Sequence, residues 1–550
     1  MDHTPGPYAD STHFGLALQR AVFGREHGAA LRRYDAVAIG SGINSLVGAA
    51  LLAKAGWRVC VLERNDWLGG AIRTAEITEP GFVHEVFASW HPLFTGSAAY
   101  AELKPELDAR GVEYLNTAVP TATLFPDGES AFLTTSHEQN VAALGPGWAR
   151  TVEGFMPNAD LAFGVLSTEL WSRDGLKLGA RALRRLGRRG FVEFAGNVLS
   201  SCRDWTAETF EDERPRGLFA PWVLHTGLGP DAASSGFMAQ VIGVAIELGG
   251  IPVPRGGGVR LVEALRGIVE DAGGACESGR RVDRVVVELG RATGVRTADG
   301  EVIEAQRAVL ANVTPQQLYG DLLGGDGPVE EARRFRFGRG GMQIHFALSE
   351  PPRWQGDERL GRTAIVHLTP GLDGVSRAIN EADRGLLPAE ATIVVGQPMA
   401  VDPSRAADGR WILWIQLQEV PSRPKGDAAG DLDVNGGWTE ALREAYADRI
   451  QARIAHHAPG FDASVLRRVT YSPVDIEAAN PNMVGGDIYA GSCALDQNLL
   501  WRPRSGLPGH RTHVAGLWHI GASTHPGPGL GAGSGTLVAK ELLRRRLRRS

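Results

Sequence analysis

Apolar and polar positions alternate in blocks along the chain, and each block predicts an element. Residues 35–39 form a short apolar run that predicts a strand buried on both faces. Gly40-Ser41-Gly42 follows as a tight turn. Residues 43–55 are rich in Ala and Leu and predict a helix packed closely on the strand. Residues 57–62 predict a second strand, and Glu63 closes it. Farther along, residues 259–271 carry an amphipathic helical pattern, and 281–288 read as a strand. A hairpin turn is expected at Ala298-Asp299-Gly300, and its second arm leads to a buried strand at 308–311.

The remaining blocks are less regular. Strands are expected near Tyr114 and Ala131, and at 342–348, 392–395 and 411–418, where aromatic and β-branched residues collect. Residues 402–411 read as a turn-rich connection, and 438–457 as a long amphipathic helix. Residues 514–520 predict a last strand, followed by a glycine-rich loop and a helix. The first 32 residues are an extension with one short helix near 14–23, to which no chemistry is assigned.

The turn after the first strand carries chemistry. A glycine without a Cβ lets a diphosphate approach the backbone, and the free N–H groups of a helix start bind its negative charge. Gly40, Gly42, Ile43, Asn44 and Ser45 are the candidates for that contact. Serine stands at 45 where this fingerprint usually has Gly or Ala, and it is small enough to keep helix and strand close. Glu63 lies about 20 residues beyond the turn, the distance at which a carboxylate grips a ribose hydroxyl. Arg64, the pair Gly69-Gly70 and Arg73 follow at once. This run resembles the extended FAD fingerprint of the glutathione-reductase-like flavoproteins.

Composition narrows the class without changing it. The 550 residues are too many for one ordinary core and imply two or three domains. A net charge of −6 supplies no basic field, so nucleic acid is not an expected partner. The four cysteines, Cys60, Cys202, Cys276 and Cys493, form no CxxC pair. That argues against a dithiol redox centre, a structural zinc site and a secreted disulfide framework, and no metal is expected. The N-terminus is polar and does not read as a secretory signal. No apolar run reaches the ~20 residues that span a bilayer. A cytoplasmic protein is expected, with peripheral contact the one membrane mode left open. Its candidate is residues 176–194, where Arg181, Arg184, Arg185, Arg188 and Arg189 alternate with Leu178, Leu183 and Leu186. Gly187 and Gly190 weaken that helix, and a solvated face is the commoner outcome.

The C-terminal block is the second anchor. Strand, glycine-rich loop and helix recur there without a second fingerprint. Such a loop can aim a helix N-terminus at developing negative charge. Gly521, Ala522, Gly529 and Leu530 are the candidates for backbone contacts. Three histidines, His84, His91 and His525, are candidate bases, because imidazole titrates near neutral pH. His525 ranks first, since it sits in this loop.

With both anchors read, the chain resembles the phytoene desaturase-like FAD oxidoreductases over about residues 34–543. The segments GSGINSLVGAALLAKAGWRVCVLE, PRGGGVRLVEAL, DPSRAADGRWILWIQLQEVP, GGDIYAGSCALDQ and GLWHIGASTHPGPGLGAGSG carry the resemblance. The last two are most similar to the pyridine nucleotide-disulfide oxidoreductase domain-containing protein 2 branch. The resemblance implies an α/β fold with an α+β inserted part: a glutathione-reductase-like FAD-binding Rossmann domain and a discontinuous substrate domain. The expected division is 1–32 extension, 33–94, 246–334 and 485–550 FAD-binding segments, and 95–245 and 335–484 substrate segments. It implies that residues 81–94 cross from the cofactor toward the substrate cavity, which puts Glu85 with His84 and His91 near the flavin. It implies that the backbone of Val282 meets the adenine edge. It further implies bound FAD, hydride-transfer chemistry on a lipophilic isoprenoid or polyene substrate, and oxygen or a quinone as electron acceptor. Two other classes stay open: a flavin-bound carrier or assembly protein without turnover, and an amine oxidase on the same fold.

Overall fold

A computed structural model describes residues 32–507 and 509–547. The helix expected near 14–23 lies outside the described residues. Two seven-stranded sheets organise the chain. The first has a parallel centre. Strand β1 (Arg32–Ile39) pairs on one side with β2 (Val59–Leu62), which pairs with Ala275–Glu277. On its other side lies Val302–Asn312, which pairs with Leu517–Ile520. An antiparallel hairpin, Val282–Glu288 and Arg291–Thr297, extends this edge. The centre is buried on both faces, which is why Val59–Leu62 and Ala308–Ala311 read as unbroken apolar runs. Helix α1 (Ile43–Lys54) is enclosed almost all round, with every residue from Ile43 to Ala53 buried. Its close fit against the last helix, Gly533–Leu547, needs Gly48, where a Cβ would stand 3.2 Å from the Gly535 carbonyl oxygen.

The second sheet is drawn from two separated stretches. Its order is Val465–Tyr471, Gly340–Leu348, Trp411–Val420, Ile393–Gly396, Ile365–Leu368, Thr121–Leu124 and Ser130–Leu133. One face carries Met342, Ile344, Phe346, Leu413, Ile415 and Leu417, packed under the Glu440–His457 helix. The opposite face carries Gln343, His345, Trp414, Gln416, Gln418 and His367, all buried. Helices between Pro146 and Gly249 cover part of this side.

Several elements differ from expectation for local reasons. Trp57 precedes β2 rather than joining it, because its N–H turns back to the Leu52 carbonyl at 3.0 Å. The buried run at 308–311 belongs to one continuous strand from Val302. That strand changes partner midway, from the antiparallel hairpin to the parallel Leu517–Ile520 strand. The last strand begins at Leu517, after a turn in which Thr512 Oγ1 accepts the Val514 N–H. The arginine-rich helix runs from Arg173 to Leu199 and breaks at Gly187, whose φ is +69°. Its leucine side is not buried, and among its described residues only Ala182 is.

A buried ion network joins the two sheets. Arg405 donates to Glu85 at 2.9 Å, to Asp402 at 2.7 Å and to the Pro254 carbonyl at 2.9 Å. Arg405 and both carboxylates are essentially inaccessible. Glu85 also accepts the Gly258 N–H at 2.7 Å, and Asp402 the Gly256 N–H at 2.7 Å. The approach to the Val259–Asp271 helix is thus held by Glu85, from the short strand pair Thr74–Ala75 and His84–Glu85, and by Asp402, from the turn ahead of the Trp411–Val420 strand. Arg405→Ala strands two carboxylates in the interior. It is expected to destabilise the fold by about 3–5 kcal/mol, read as a large fall in apparent melting temperature. Arg405→Lys should recover part of the loss but not all, since donors on a single nitrogen cannot reach three acceptors spread around the planar guanidinium.

Candidate functional site

Four strand ends open on one crevice. Leu62, Ile39, Ala311 and His519 stand in one row across the parallel sheet. Beyond them the chain turns at Gly40, Glu63, Asn312 and Gly521. Ligands of open α/β sheets bind at such carboxyl ends.

The glycines here form one cradle. Gly40 has φ +82°, and a Cβ there would lie 3.3 Å from the Asn312 carbonyl oxygen. At Gly42 it would lie 3.1 Å from Asn312 Nδ2, and at Gly70 3.0 Å from Gly42 Cα. Gly69, at φ +112°, bridges to Gly42 in the manner of a parallel pair. Side chains other than hydrogen would fill the space above these turns. Gly42 is the N-cap of α1, no side chain caps it, and no acid lies in its first turn. The positive helix end is therefore left for an external anion.

Glu63 is buried and held. Its Oε2 accepts Ser41 N–H at 2.9 Å and Ser41 Oγ–H at 2.7 Å, and its Oε1 accepts Asn65 N–H at 3.0 Å. A carboxylate has about four acceptor positions, so one remains for a hydroxyl. Arg64 beside it is exposed. The Arg73 guanidinium lies over the Trp67 ring at 3.9 Å and makes no hydrogen bond or ion pair among the described residues. Val282 opens its strand two residues after Arg280, whose N–H donates to the Glu63 carbonyl at 2.6 Å.

The C-terminal loop reaches the same place. Gly521 N–H donates to Ser534 Oγ at 3.1 Å, and Gly535 N–H to Asn44 Oδ1 at 3.2 Å. Two helix starts thus meet, one from α1 and one from Gly533–Leu547. Asn312 ties them, donating from Nδ2 to Ser45 Oγ at 3.0 Å, while a Cβ on Gly521 would stand 2.2 Å from its Oδ1. Ala522 accepts Arg502 Nε–H at 2.8 Å through its carbonyl. Gly529 closes on Leu93, and Leu530 packs on the core of the first sheet. Sequence reasoning missed Asn312, Ser41 and Arg502. Asn312 had one available signal, a polar residue ending a run of buried apolar ones.

The three candidate histidines occupy separate environments. No hydrogen bond or ring contact joins any two of them among the described residues. His84 meets Thr78 Oγ1 at 2.7 Å and packs edge-on against His345 at 5.4 Å between centroids. His91 Nδ1 meets the Tyr114 hydroxyl at 3.0 Å. His525 Nε2 donates to the Thr168 carbonyl at 3.0 Å, which leaves Nδ1 as a buried acceptor without a partner. Burial lowers all three: His84 well below its ordinary value, His91 to about 3, and His525 to about 4 with His510 adding repulsion.

Segment 86–87 connects the crevice with the second sheet. The Val86 carbonyl accepts His345 Nε2–H at 3.1 Å, and the Phe87 carbonyl accepts Gln343 Nε2–H at 2.9 Å and Trp414 Nε1–H at 3.0 Å. Gln343, Gln416, Val394, His367 and Thr123 form one row across that sheet. Gln343 Oε1, His345 Nδ1, His367 Nδ1 and Gln418 Oε1 are buried there without a protein partner. Alternation of polar and apolar residues at 342–348 and 412–418 was the signal that could have found this face.

Comparison with known proteins separates the classes this geometry permits. The NAD(P)-binding Rossmann-like domain family matches residues 39–104. One component of the limonene dehydrogenase of Castellaniella defragrans is 25% identical, with 93% of this chain and 94% of that protein covered. Pyridine nucleotide-disulfide oxidoreductase domain-containing protein 2 of Mus musculus is 26% identical, with 93% of each chain covered. A neurosporene-forming phytoene desaturase of Cereibacter sphaeroides is 25% identical over 92% of this chain and 94% of its own. Over more than nine tenths of its length the chain is similar to the phytoene desaturase-like family of FAD-dependent oxidoreductases. Putrescine oxidase, in a structure with putrescine bound, shares the fold at a TM-score of 0.57 and 17% identity, covering 93% of this chain and 99% of that one. FAD is the cofactor of the family. The Cβ-free cradle, the uncapped helix start, the spare acceptor on Glu63 and the unpaired Arg73 fit its diphosphate and ribose.

Gly42→Val tests this fit. Gly42 has φ −58°, which valine tolerates, and its nearest neighbour is the end of a side chain. The variant is expected to fold but to purify with at least about tenfold less flavin, measured as visible absorbance per chain.

Proposed function

We propose that the protein removes hydrogen from a lipophilic isoprenoid or polyene substrate held against the buried polar face of the second sheet. The observation that carries this reading is the reach of the similarity. It covers 93% of the chain, the second sheet included, in a relative named for limonene, and 92% in others named for phytoene and hydroxyneurosporene. We assign the diphosphate to Gly40, Gly42, Ile43, Asn44 and Ser45, and the ribose to Glu63 with Arg64 beside it. Gly69, Gly70 and Arg73 flank the cofactor, and the Val282 backbone meets its adenine. Gly521, Ala522, Gly529 and Leu530 close over its far end.

Bound FAD supplies the hydride acceptor. Desaturation takes a hydride from one carbon and a proton from its neighbour, and the two electrons then leave to oxygen or a quinone. The chain's own part is to hold the substrate, exclude water and receive the proton. His525 is the base in this proposal, because Thr168 fixes its tautomer and leaves Nδ1 free. At about 4 its proton affinity is low. The imidazole therefore stays neutral and receptive across the physiological range, and passes the proton on rather than keeping it.

Anaerobic mixing separates this from amine oxidation. Limonene or a C40 polyene such as phytoene is expected to bleach the flavin, and putrescine to leave it oxidised; the reverse outcome overturns the proposal. His525→Ala should slow bleaching by about 10²-fold, and an unchanged rate removes that role.

We also propose peripheral membrane contact through residues 171–199. No described helix is long and apolar enough to cross a bilayer. Yet Trp171, Leu176 and Val192 are 77%, 76% and 70% exposed, beside exposed Arg181, Arg184, Arg188 and Arg189. Each arginine near an anionic surface is worth about 1 kcal/mol. Arg184→Glu/Arg188→Glu should therefore cut sedimentation with phosphatidylserine vesicles by more than about tenfold. Equal binding of both proteins would assign these residues to a solvated face.

A further inference from the structure

A second concave region lies where the polar face of the second sheet ends. It is a cleft of about 580 Å³, walled by the chain just before the Gly340–Leu348 strand and just after the Trp411–Val420 strand. Three cations line it, Arg339, Arg423 and Lys425, against one carboxylate, Asp383. Asp383 is already paired with Arg339 at 3.2 Å. Arg423 and Lys425 have no acidic partner among the described residues. Arg339 Nε is buried without a partner, although its other nitrogens are engaged with Asp383 and the Gly227 carbonyl. Charge and hydrogen-bonding capacity are both in excess on this wall, and both excesses favour an anion.

Leu228, Phe337 and Leu495 supply apolar lining beside these cations, along with small residues and Ser422 and Ser492. The inner wall at Gly227 lies two residues beyond His225, whose Nε2 stands 3.1 Å from His367 Nε2 on the buried sheet face. From the other side, the Ser492 carbonyl accepts Arg502 Nη1–H at 3.2 Å, and Arg502 Nε–H reaches the Ala522 carbonyl in the C-terminal loop. The cleft therefore sits between the proposed substrate face and that loop. A purely hydrocarbon ligand gives this cation-rich wall nothing to bind.

We infer that the cleft holds the anionic end of an amphipathic substrate, a carboxylate or a phosphate on an apolar chain. The inference rests on the lipophilic-substrate reading and narrows it.

Binding of cis-parinaric acid to the FAD-loaded, full-length protein tests it, with the methyl ester as the uncharged control. The probe reports through its own fluorescence, so the result does not depend on flavin reduction. The acid should bind about tenfold more tightly than the ester, and Arg423→Gln/Lys425→Gln should bring the acid to the ester's affinity. Both replaced side chains are exposed, so folding is preserved. Displacement by dodecanoate would assign a carboxylate head, and displacement by farnesyl monophosphate a phosphate head. Equal affinity for acid and ester, or a preference that survives the double substitution, overturns the inference. Failure of neutral polyenes and of polyene carboxylic acids alike to bleach the flavin would count against the desaturase reading alone.

Discussion

Arg405 is a cation sealed away from water, and the relation between the two sheets depends on how it is satisfied. Removing a guanidinium from solvent is tolerable only when acceptors surround it. Here the acceptors come from three distant parts of the chain: Glu85, Asp402 and the Pro254 carbonyl. Burial pushes the Glu85 carboxyl upward, and Arg405, the Gly258 N–H and Thr74 oppose it. For Asp402 burial is outweighed by Ser404, the Gly256 N–H and Arg405, so it lies below its ordinary value. The network ties the chain before the Val259–Asp271 helix to the turn ahead of the Trp411–Val420 strand. Segment 86–87, next to Glu85, is in turn held to the polar face of the second sheet through Gln343, His345 and Trp414.

A second constraint works at shorter range. Two helix starts can approach one point only if no side chain stands between them. Gly48 and Gly535 remove the obstruction, and Asn44 replaces it with a hydrogen bond. Asn312 then closes the gap between the fingerprint turn and the C-terminal loop. The same absence of side chains that admits a diphosphate also lets the two anchors touch. Packing and the proposed cofactor contact therefore draw on the same glycines, and Gly42 separates them only because its own backbone angle is ordinary.

Local pattern carried the parallel centre of the first sheet into the sequence, because a strand buried on both faces must be apolar throughout. The helix at 259–271 was equally legible, since one face packs and the other does not. What sequence did not show was contact across long separation. Asn312 meets residues more than two hundred positions away, and no periodicity encodes that. Glu85 is placed near the cofactor by the resemblance alone, and its pairing with Arg405 is hidden because Arg405 lies inside a turn-like stretch, DPSRAADG, far along the chain. The leucines near Arg181 read as one side of an amphipathic helix, but helical spacing cannot say whether anything covers that side. Gly187, recognised as a weak point, is where the helix breaks.

The histidines show why the chemistry is harder to read than the fold. Near-neutral titration recommended His84, His91 and His525, and burial removes that titration from all of them. The folded molecule keeps each imidazole neutral far below pH 6.5, so folding favours the uncharged form. That stability is complete above the unfolded value near 6.5 and is lost as pH falls toward the depressed values, about 4 for His525 and about 3 for His91. Across physiological pH these side chains carry no charge. They are suited to lie beside an apolar substrate, where an imidazolium would need a counter-ion and its water. A site lined by neutral polar groups can bind a hydrocarbon body without desolvating a charge. In the proposed reading His525 alone holds the directed lone pair that receives the proton, while the cations of Arg339, Arg423 and Lys425 line the separate cleft inferred to take a charged end.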